Sequence, residues 1–404
     1  MPVFKRQYRS GKVVWRYIFS TPGSTREDRR LICEVGFASK QEAIDAEAKR
    51  RTEELQKYER AKAGAITVAA ALPTTLAMLF QEFFRQHAQE KLAPKTIERY
   101  RELAACLDAE LLAMPLPDIT PLHLSREWNR LLKSGGRHRK TKEARPLSAK
   151  TVRHVAGLVS SAFARAERWG LVKTNPVTRS EPPVPKKHRG IALTPTQQEL
   201  VFASATGPWC LAAFLEFAAA TGARRGEILA LRWSDIQDGR AIITRSLTQT
   251  RQVLEFKGTK TERPRDVKVP TSALAALVEH RMRQDDFRRQ NGPDYRGDLD
   301  LIFANPDGTP LRPNSVSSAV SLLFRRLGLP KGASLHSLRH SHGSHLLANG
   351  VPLPVVSERL GHSSVRTTAE VYAHALRGQD DEAAQRWDEF QRRGASVRSD
   401  GPVQ

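Results

Sequence analysis

The chain has 404 residues, with 65 lysines and arginines against 43 aspartates and glutamates, a formal charge of +22 and a pI near 10.3. That length leaves room for two or three domains with their own cores. The positive excess favours a polyanionic partner, because each neutralised phosphate releases a condensed counterion; a merely basic, ribosome-like surface is the alternative. No apolar run approaches the roughly 20 residues needed to span a bilayer, which argues against a membrane partner. The opening Met1-Pro2-Val3-Phe4-Lys5-Arg6 lacks the apolar stretch of a secretory signal. Cys33, Cys106 and Cys210 are isolated, without C-x-x-C spacing, and are expected to be reduced thiols in a cytoplasmic protein.

Residues 8–19 and 29–37 read as strands, separated by the turn-forming Ser20-Thr21-Pro22-Gly23-Ser24. Ser39 then reads as the N-cap of a helix over 41–59, with Glu42 three residues on completing a capping box. The strand region interleaves Lys5, Arg6, Arg9, Lys12 and Arg16 with Tyr8, Trp15 and Tyr17. A basic sheet carrying aromatics suits DNA reading, and an ordinary twisted sheet with aromatic core residues fits equally well. An Ala-rich linker over 61–71 closes this first module, residues 1–65.

A second module, residues 73–180, shows three apolar stripes at helical spacing. Leu76, Leu79, Phe80, Phe83, Phe84 and His87 follow the cap Thr75; Ile97, Tyr100, Leu103, Leu107 and Leu111 follow Pro94; Val152, Val155, Val159, Phe163 and Ala166 run to Gly170. These are core stripes. Between them Ser134-Gly135-Gly136-Arg137-His138-Arg139-Lys140-Thr141-Lys142 forms a basic loop, read as phosphate-contacting against the alternative of a solvated charge run. The Pro-rich linker over 181–191 carries Lys186 and Lys187, cations suited to crossing a DNA backbone. Beyond it, residues 192–391 mix helices (211–220, 226–231) with strands (241–247, 266–269), and 392–404 is a polar tail.

The chemistry-bearing residues lie in this third module. Arg224 follows the helix-ending Thr221-Gly222 at the start of a new helix, with Arg225 as a competing choice and Glu227 three residues on. His336 and Arg339 are three apart and face the same way at a helix start. His362 comes directly after the helix stop Leu360-Gly361, and Tyr372 lies ten residues further, in a helix capped by Ser363 or Ser364. Two other readings compete. The histidines 336, 340, 342 and 345 invite a metal site, although the glutamate of the H-E-x-x-H pattern is missing. Residues 354–372 also fit a helix-turn-helix reader, which leaves Arg224 and the His336/Arg339 pair unexplained.

Thr221-Gly222-Ala223-Arg224-Arg225-Gly226-Glu227, the run Leu335-His336-Ser337-Leu338-Arg339-His340, Leu360-Gly361-His362 and Tyr372, in that order, resemble the signature of the tyrosine recombinases, the phage-integrase family. The resemblance is strong over 193–377 and extends upstream only by arrangement. It implies a mainly α multidomain fold: a small sheet-plus-helix module binding arm-type DNA, a helical core-binding domain and an α+β catalytic domain. It also implies catalytic roles for Arg224, Lys260, His336, Arg339, His362 and the nucleophile Tyr372, with Glu227 as an anchor. Lys260 is taken from its Lys260-Thr261 context before a strand, with Lys257 and Lys268 as competitors and Pro264 as a departure from the usual pattern.

Such a reaction needs fixed cations at the phosphate, a proton for the leaving sugar oxygen, and help for a phenol whose solution pKa is near 10. It needs no metal or other cofactor. The DNA contacts expected are Arg6, Arg9, Lys12 and Arg16 on the first module, Arg137, Arg139, Lys140 and Lys142 on the basic loop, and Lys186 and Lys187 on the linker. The resemblance further implies double-stranded DNA with core and arm sites, a homotetramer on DNA, and DNA-bending and directionality partners. A chromosome-dimer resolvase, a type IB topoisomerase and a non-catalytic DNA-binding relative are the alternatives.

Overall fold

Pro22 and Gly23 turn the chain at φ +80° between two strands that bury side chains on both faces. The computed structural model describes residues 3–7, 13–24, 29–63, 72–88, 92–137, 141, 143–186, 190–206, 209–251, 253–258, 264–372, 384–385 and 387–392. It divides into two compact units, residues 1–51 with 189–404, and residues 52–188.

In the first unit, β1 (Val3–Gln7), β2 (Val13–Ser20) and β3 (Arg30–Phe37) form an antiparallel meander, followed by α1 (Lys40–Ala63), whose residues from Thr52 on are counted with the second unit. Of the expected first strand, residues 13–19 lie in β2 and residues 8–12 fall outside the described residues; β1 is an additional strand before it. The Ser39 cap is present: its hydroxyl accepts from the Glu42 amide at 3.1 Å, while the Glu42 carboxylate accepts from the Ala38 amide at 2.9 Å.

The second unit is helical. Its elements are α2 (Leu76–Glu82, extended by a π-helical turn Phe83–Ala88), α3 (Pro94–Ala104), α4 (Ala109–Ala113), α5 (Pro121–Ser134), the short hairpin β4 (Gly136–Arg137) and β5 (Ala144–Arg145), and α6 (Ala149–Arg168). Leu76, Phe83, Leu103, Trp128, Val155 and Phe163 fill its core. The stripe expected to run unbroken from Ile97 to Leu111 is split, because Asp108 caps a new helix and its amide donates to the buried Glu127 carboxylate at 3.0 Å. Arg137 is exposed on the hairpin and Lys186 is exposed before the third module, while Arg139, Lys140, Lys142 and Lys187 lie outside the described residues.

The rest of the first unit comprises α7 (Pro195–Ala203), α8 (Leu211–Thr221), α9 (Arg225–Ala230), β6 (Ile236–Gln237), β7 (Arg240–Ile243), β8 (Arg245–Gln249), β9 (Val253–Gly258), β10 (Arg265–Lys268), α10 (Thr271–Asn291), α11 (Pro313–Arg326), α12 (Leu335–Ala348), α13 (Leu353–Leu360) and α14 (Val365–Tyr372). The stretch 241–247 is therefore two strands broken at Thr244 rather than one. A small sheet runs β10-β7-β6, and a larger one runs β1-β2-β3-β9-β8. Among the described residues no helix is long and apolar enough to cross a membrane.

That larger sheet changes the expected organisation. Residues 1–51 do not stand apart as a module of their own: β3 pairs with β9, and Phe4, Ile18 and Leu31 join the core that holds Leu247, Leu254 and Phe256. Arg16, expected to meet DNA, is only 4% exposed. Its guanidinium is instead paired with Asp307 and donates to the Thr309 hydroxyl, so it has no free face for a phosphate. Arg6 is exposed on β1, and Arg9 and Lys12 lie outside the described residues.

One titratable group is fully enclosed in the main core. His280 is 0% exposed, stacked on Trp209 and Phe303, and its Nε2 donates to the Ile302 carbonyl at 2.7 Å. Burial, partly offset by that hydrogen bond and reinforced by Arg283, lowers its pKa to about 4. The unfolded chain, with an ordinary histidine pKa near 6.5, then binds the extra proton first as pH falls. Stability attributable to His280 is present above about pH 6.5 and declines by roughly 1.4 kcal/mol per pH unit between there and about pH 4. Urea denaturation at pH 7.5 and pH 5 is expected to show a smaller loss in His280→Gln than in the parent. Equal losses would remove His280 as a source of acid lability.

Candidate active site

The site is built where four helix ends converge. Helix α8 stops at Gly222, whose φ of +63° is left-handed; a Cβ there would sit 2.7 Å from Leu360 and 2.8 Å from the His342 ring. The chain then turns so that Arg224 caps α9, its amide donating to the Glu227 carboxylate at 2.8 Å. Gly226 allows α9 to press on β8, since a Cβ would lie 2.5 Å from the Ser246 hydroxyl and 2.8 Å from the Leu247 carbonyl. Helix α13 stops at Gly361 (φ +65°), and Ser364 starts α14, its hydroxyl accepting from the Arg366 amide at 3.2 Å.

Glu227 is the internal anion of the site. It is 2% exposed and accepts from Arg224 Nη1 at 2.9 Å, and from Arg265 Nη1 and Nη2 at 3.2 and 2.6 Å. Burial alone would raise its pKa; the hydrogen bonds and charge of Arg265, with help from Arg224, outweigh burial and lower it. Arg265 was not singled out from the sequence, although it stands five residues after Lys260. Its signal in sequence is a cation at the start of the β10 strand, which by itself reads as a surface charge.

Arg224 also donates from Nη2 to the Gly361 carbonyl at 2.9 Å and keeps 31% of its side chain exposed. Arg225, the competing choice, points elsewhere: it donates to the Pro313 carbonyl at 3.1 Å and to Ser317 on α11. Arg339 is 4% exposed and donates to the Gly222 and Leu360 carbonyls, both at 2.7 Å. Burial first, then the charge of Arg224, lowers its pKa to about 10, which still leaves it cationic at neutral pH.

His336 is exposed on one side and lies with Arg225, Ser317, Ser321, Ser334 and Arg339 along a cavity of about 250 Å³. Desolvation, then the charges of His340, Arg339 and Arg224, lower its pKa to about 4. Its solvent-facing side tempers that shift, but every cause acts in one direction and leaves the ring neutral at pH 7. His362 meets Thr368 Oγ1 at 2.7 Å and is held at about 4 by burial and by Arg339, Arg224 and Arg265.

Tyr372 is 1% exposed, and its ring centroid lies 6.4 Å from that of His362 and 5.9 Å from that of His340. Its hydroxyl donates to the Arg339 carbonyl at a long 3.4 Å. Burial raises its pKa, and the charge of Arg339 opposes this. Gly343 makes room for the ring, since a Cβ there would come within 2.5 Å of the phenol carbon. Arg224, Glu227, His336, Arg339, His362 and Tyr372 are thus brought together, while Lys260 lies outside the described residues.

One member of the histidine cluster has both ring nitrogens engaged within the protein. His342 Nε2 accepts from Arg359 at 2.9 Å while its Nδ1 donates to the Ala219 carbonyl at 2.8 Å, so both ring nitrogens are used. Among the described residues no group of three metal-binding side chains is present.

Residues 193–378 match the model of the phage integrase family. Tyrosine recombinase XerC of Methylobacterium sp. (strain 4-46) is 31% identical over 316 residues, covering 76% of this chain and 89% of that protein. The chain belongs to the tyrosine recombinases of the phage integrase family. As a member it is a site-specific recombinase that cuts and rejoins DNA. A tyrosine recombinase XerC-like protein of Caldanaerobacter subterraneus is 25% identical over 288 residues, 67% of this chain and 71% of that one. The fold is shared with the Tn1549 transposon integrase solved in complex with transposon right end DNA, with a TM-score of 0.64 and 19% identity over 78% of this chain and 99% of that one.

Glu227 offers the sharpest test of how this recombinase holds its site. Replacing it by Gln keeps the shape but leaves two guanidinium groups close together without their anion. The expected loss is about 3–5 kcal/mol of unfolding free energy, the usual result of breaking a buried pair from one side. Urea denaturation at pH 7 checks it; a change under about 1 kcal/mol would mean that Arg224 and Arg265 do not depend on this carboxylate.

Proposed function

We propose that this chain is the integrase of a phage or other mobile element, cutting double-stranded DNA through a 3′-phosphotyrosine on Tyr372. The observation that carries the reading is the meeting of Tyr372 with Arg339, itself one helix end away from Arg224. The two guanidinium groups clamp the scissile phosphate, where charge grows on the non-bridging oxygens in the transition state. His336 and His362, neutral at pH 7, offer hydrogen bonds to the same phosphate without adding fixed charge. Tyr372 attacks phosphorus, its proton passing to a neutral histidine of the site or to water, and the bond to the 5′ oxygen breaks; a general acid, assigned to Lys260 from its sequence context, protonates that oxygen. A partner strand's 5′-hydroxyl then reverses the bond.

Arg137 and Lys186, both exposed, are assigned to the DNA backbone. Exchange of two duplexes takes four active sites, hence a tetramer on DNA, with core and arm sites and with DNA-bending and directionality proteins as partners. The Tn1549 integrase and the ICEBs1 integrase of Bacillus subtilis, 27% identical over 270 residues, support the mobile-element reading. The XerC and XerD relatives favour a second reading, a resolvase of chromosome dimers. A plasmid assay separates the two: recombination between the ends of the surrounding element supports the first, and recombination confined to a chromosomal dimer site supports the second.

Tyr372→Phe retains the ring and its packing but lacks the nucleophile. It is expected to bind DNA as the parent does and to form no denaturant-resistant complex with a nicked substrate that traps cleavage. An adduct of parental yield from the variant would remove Tyr372 from this role.

Arg339→Lys replaces a planar fork by one ammonium, which cannot reach the Gly222 and Leu360 carbonyls and the phosphate together. Single-turnover cleavage is expected to slow by a factor of about 10²–10³, comparable to losing one donor aimed at a transition-state oxyanion. A cleavage rate within threefold of the parent would contradict the assignment.

A further inference from the structure

The N-terminal strands reach Arg224 through an unbroken path of packed backbone. Arg30, Leu31 and Ile32 of β3 pair antiparallel with Glu255, Leu254 and Val253 of β9, and the Phe256 amide donates to the Arg29 carbonyl at 3.0 Å. Strand β9 pairs in turn with β8 through Leu247 and Phe256. Strand β8 lies against α9 at Gly226, and Arg245 of β8 donates to the Ala230 carbonyl at the far end of α9 at 2.8 Å. Arg224 is the cap of that same helix.

Without β1–β3, β8 and β9 would be a two-stranded hairpin with both edges unpaired, a marginal structure in water. The added sheet is enclosed on both faces. Val3, Tyr17, Phe19 and Ile32 pack with Ala43 of α1, while Phe4, Ile18 and Leu31 enter the main core. Arg16 lies on the inward face opposite Phe4, paired with Asp307, which also accepts from the Thr309 amide and hydroxyl at 3.1 and 2.7 Å. At the rim Arg312 donates to the Cys33 carbonyl at 2.7 Å, and Arg30 meets Glu255 at 3.1 Å.

We propose that β1–β3 are a positioning element of the catalytic unit, and that Arg16 is the residue that locks them there. Docked on β9, they stiffen the hairpin that supports α9 and so hold Arg224 at the phosphate; this rests on the reading of Arg224 as a phosphate clamp. The face bearing Arg16 is closed to DNA in this arrangement. The N-terminal strands therefore contribute to cleavage at a single core site, independently of any distant site.

Two measurements on the full chain test this. Hydrogen exchange without DNA is expected to show β8 and β9 amides losing at least tenfold protection in Arg16→Met, and much less in Arg16→Lys, which keeps a cation for Asp307. Single-turnover cleavage of a nicked core-only substrate is expected to slow at least tenfold in Arg16→Met with DNA affinity within twofold of the parent, and to recover in Arg16→Lys. In a second variant, Ile32→Cys and Val253→Cys, with Cys33→Ser to remove the neighbouring thiol, place two thiols at paired positions. The oxidised, cross-linked chain is expected to cleave at the rate of its reduced form.

Unchanged protection and cleavage in Arg16→Met would overturn the proposal, as would a cross-link that forms and blocks cleavage. If the parent itself forms no tyrosine adduct, the reading of the site fails, while the exchange data still decide whether Arg16 holds the sheet on β9.

Discussion

The Glu227 carboxylate is the constraint on which the rest of the site depends. Arg224, Arg265 and Arg339 are drawn together before any phosphate is present, and bringing guanidinium groups into a poorly solvated space is unfavourable without an anion. Glu227 provides one negative charge under them and fixes two of the three directly. Arg339 is held by the Gly222 and Leu360 carbonyls at the ends of α8 and α13, where helix dipoles place partial negative charge. The compensation is incomplete by design: one carboxylate under several cations leaves a net positive cleft. In the proposed reaction the substrate's own charge completes it, the arrangement that stabilises a transition state more than a ground state.

The same electrostatics explain the state of the other groups. Burial, reinforced by the neighbouring arginines, keeps His336 and His362 neutral, so in the proposed reaction these rings serve as hydrogen-bond partners rather than as additional fixed charges. Tyr372 is subject to opposed influences: burial favours the phenol and Arg339 favours the phenolate. In the structure its hydroxyl faces the Arg339 carbonyl, an acceptor that retains the proton, and not the guanidinium. The proposed attack requires the oxygen to exchange that carbonyl for the cationic side of the same residue. Gly343 bears on this step, because a side chain there would displace the ring from its present seat.

Much of the site was legible because its residues sit at helix boundaries, which glycines and caps mark in sequence. Gly222 and Gly361 announced the stops before Arg224 and His362, and the three-residue spacing of His336 and Arg339 announced a shared helical face. What escaped were contacts between segments far apart in the chain. Arg265 looks like any strand-flanking cation until Glu227, 38 residues away, is beside it. Arg16 was misread for the same reason: alternation with aromatics says that a strand has two faces, but not what covers them. Its partners Asp307 and Thr309 lie about 290 residues on, beyond the reach of any local pattern.

The N-terminal sheet shows why such pairing matters for chemistry. A strand edge has backbone donors and acceptors at fixed spacing, so a partner strand fixes register and orientation as well as proximity. Extending β8 and β9 by three more strands converts a marginal hairpin into one end of a five-stranded sheet with cores on both faces. Helix α9 is only six residues long and cannot hold its own orientation by local hydrogen bonds. Its direction, and with it the placement of Arg224, comes from the surface on which it rests. A guanidinium that is to meet two phosphate oxygens tolerates little displacement, so under this proposal stiffness supplied at β3 acts on the reaction from a distance.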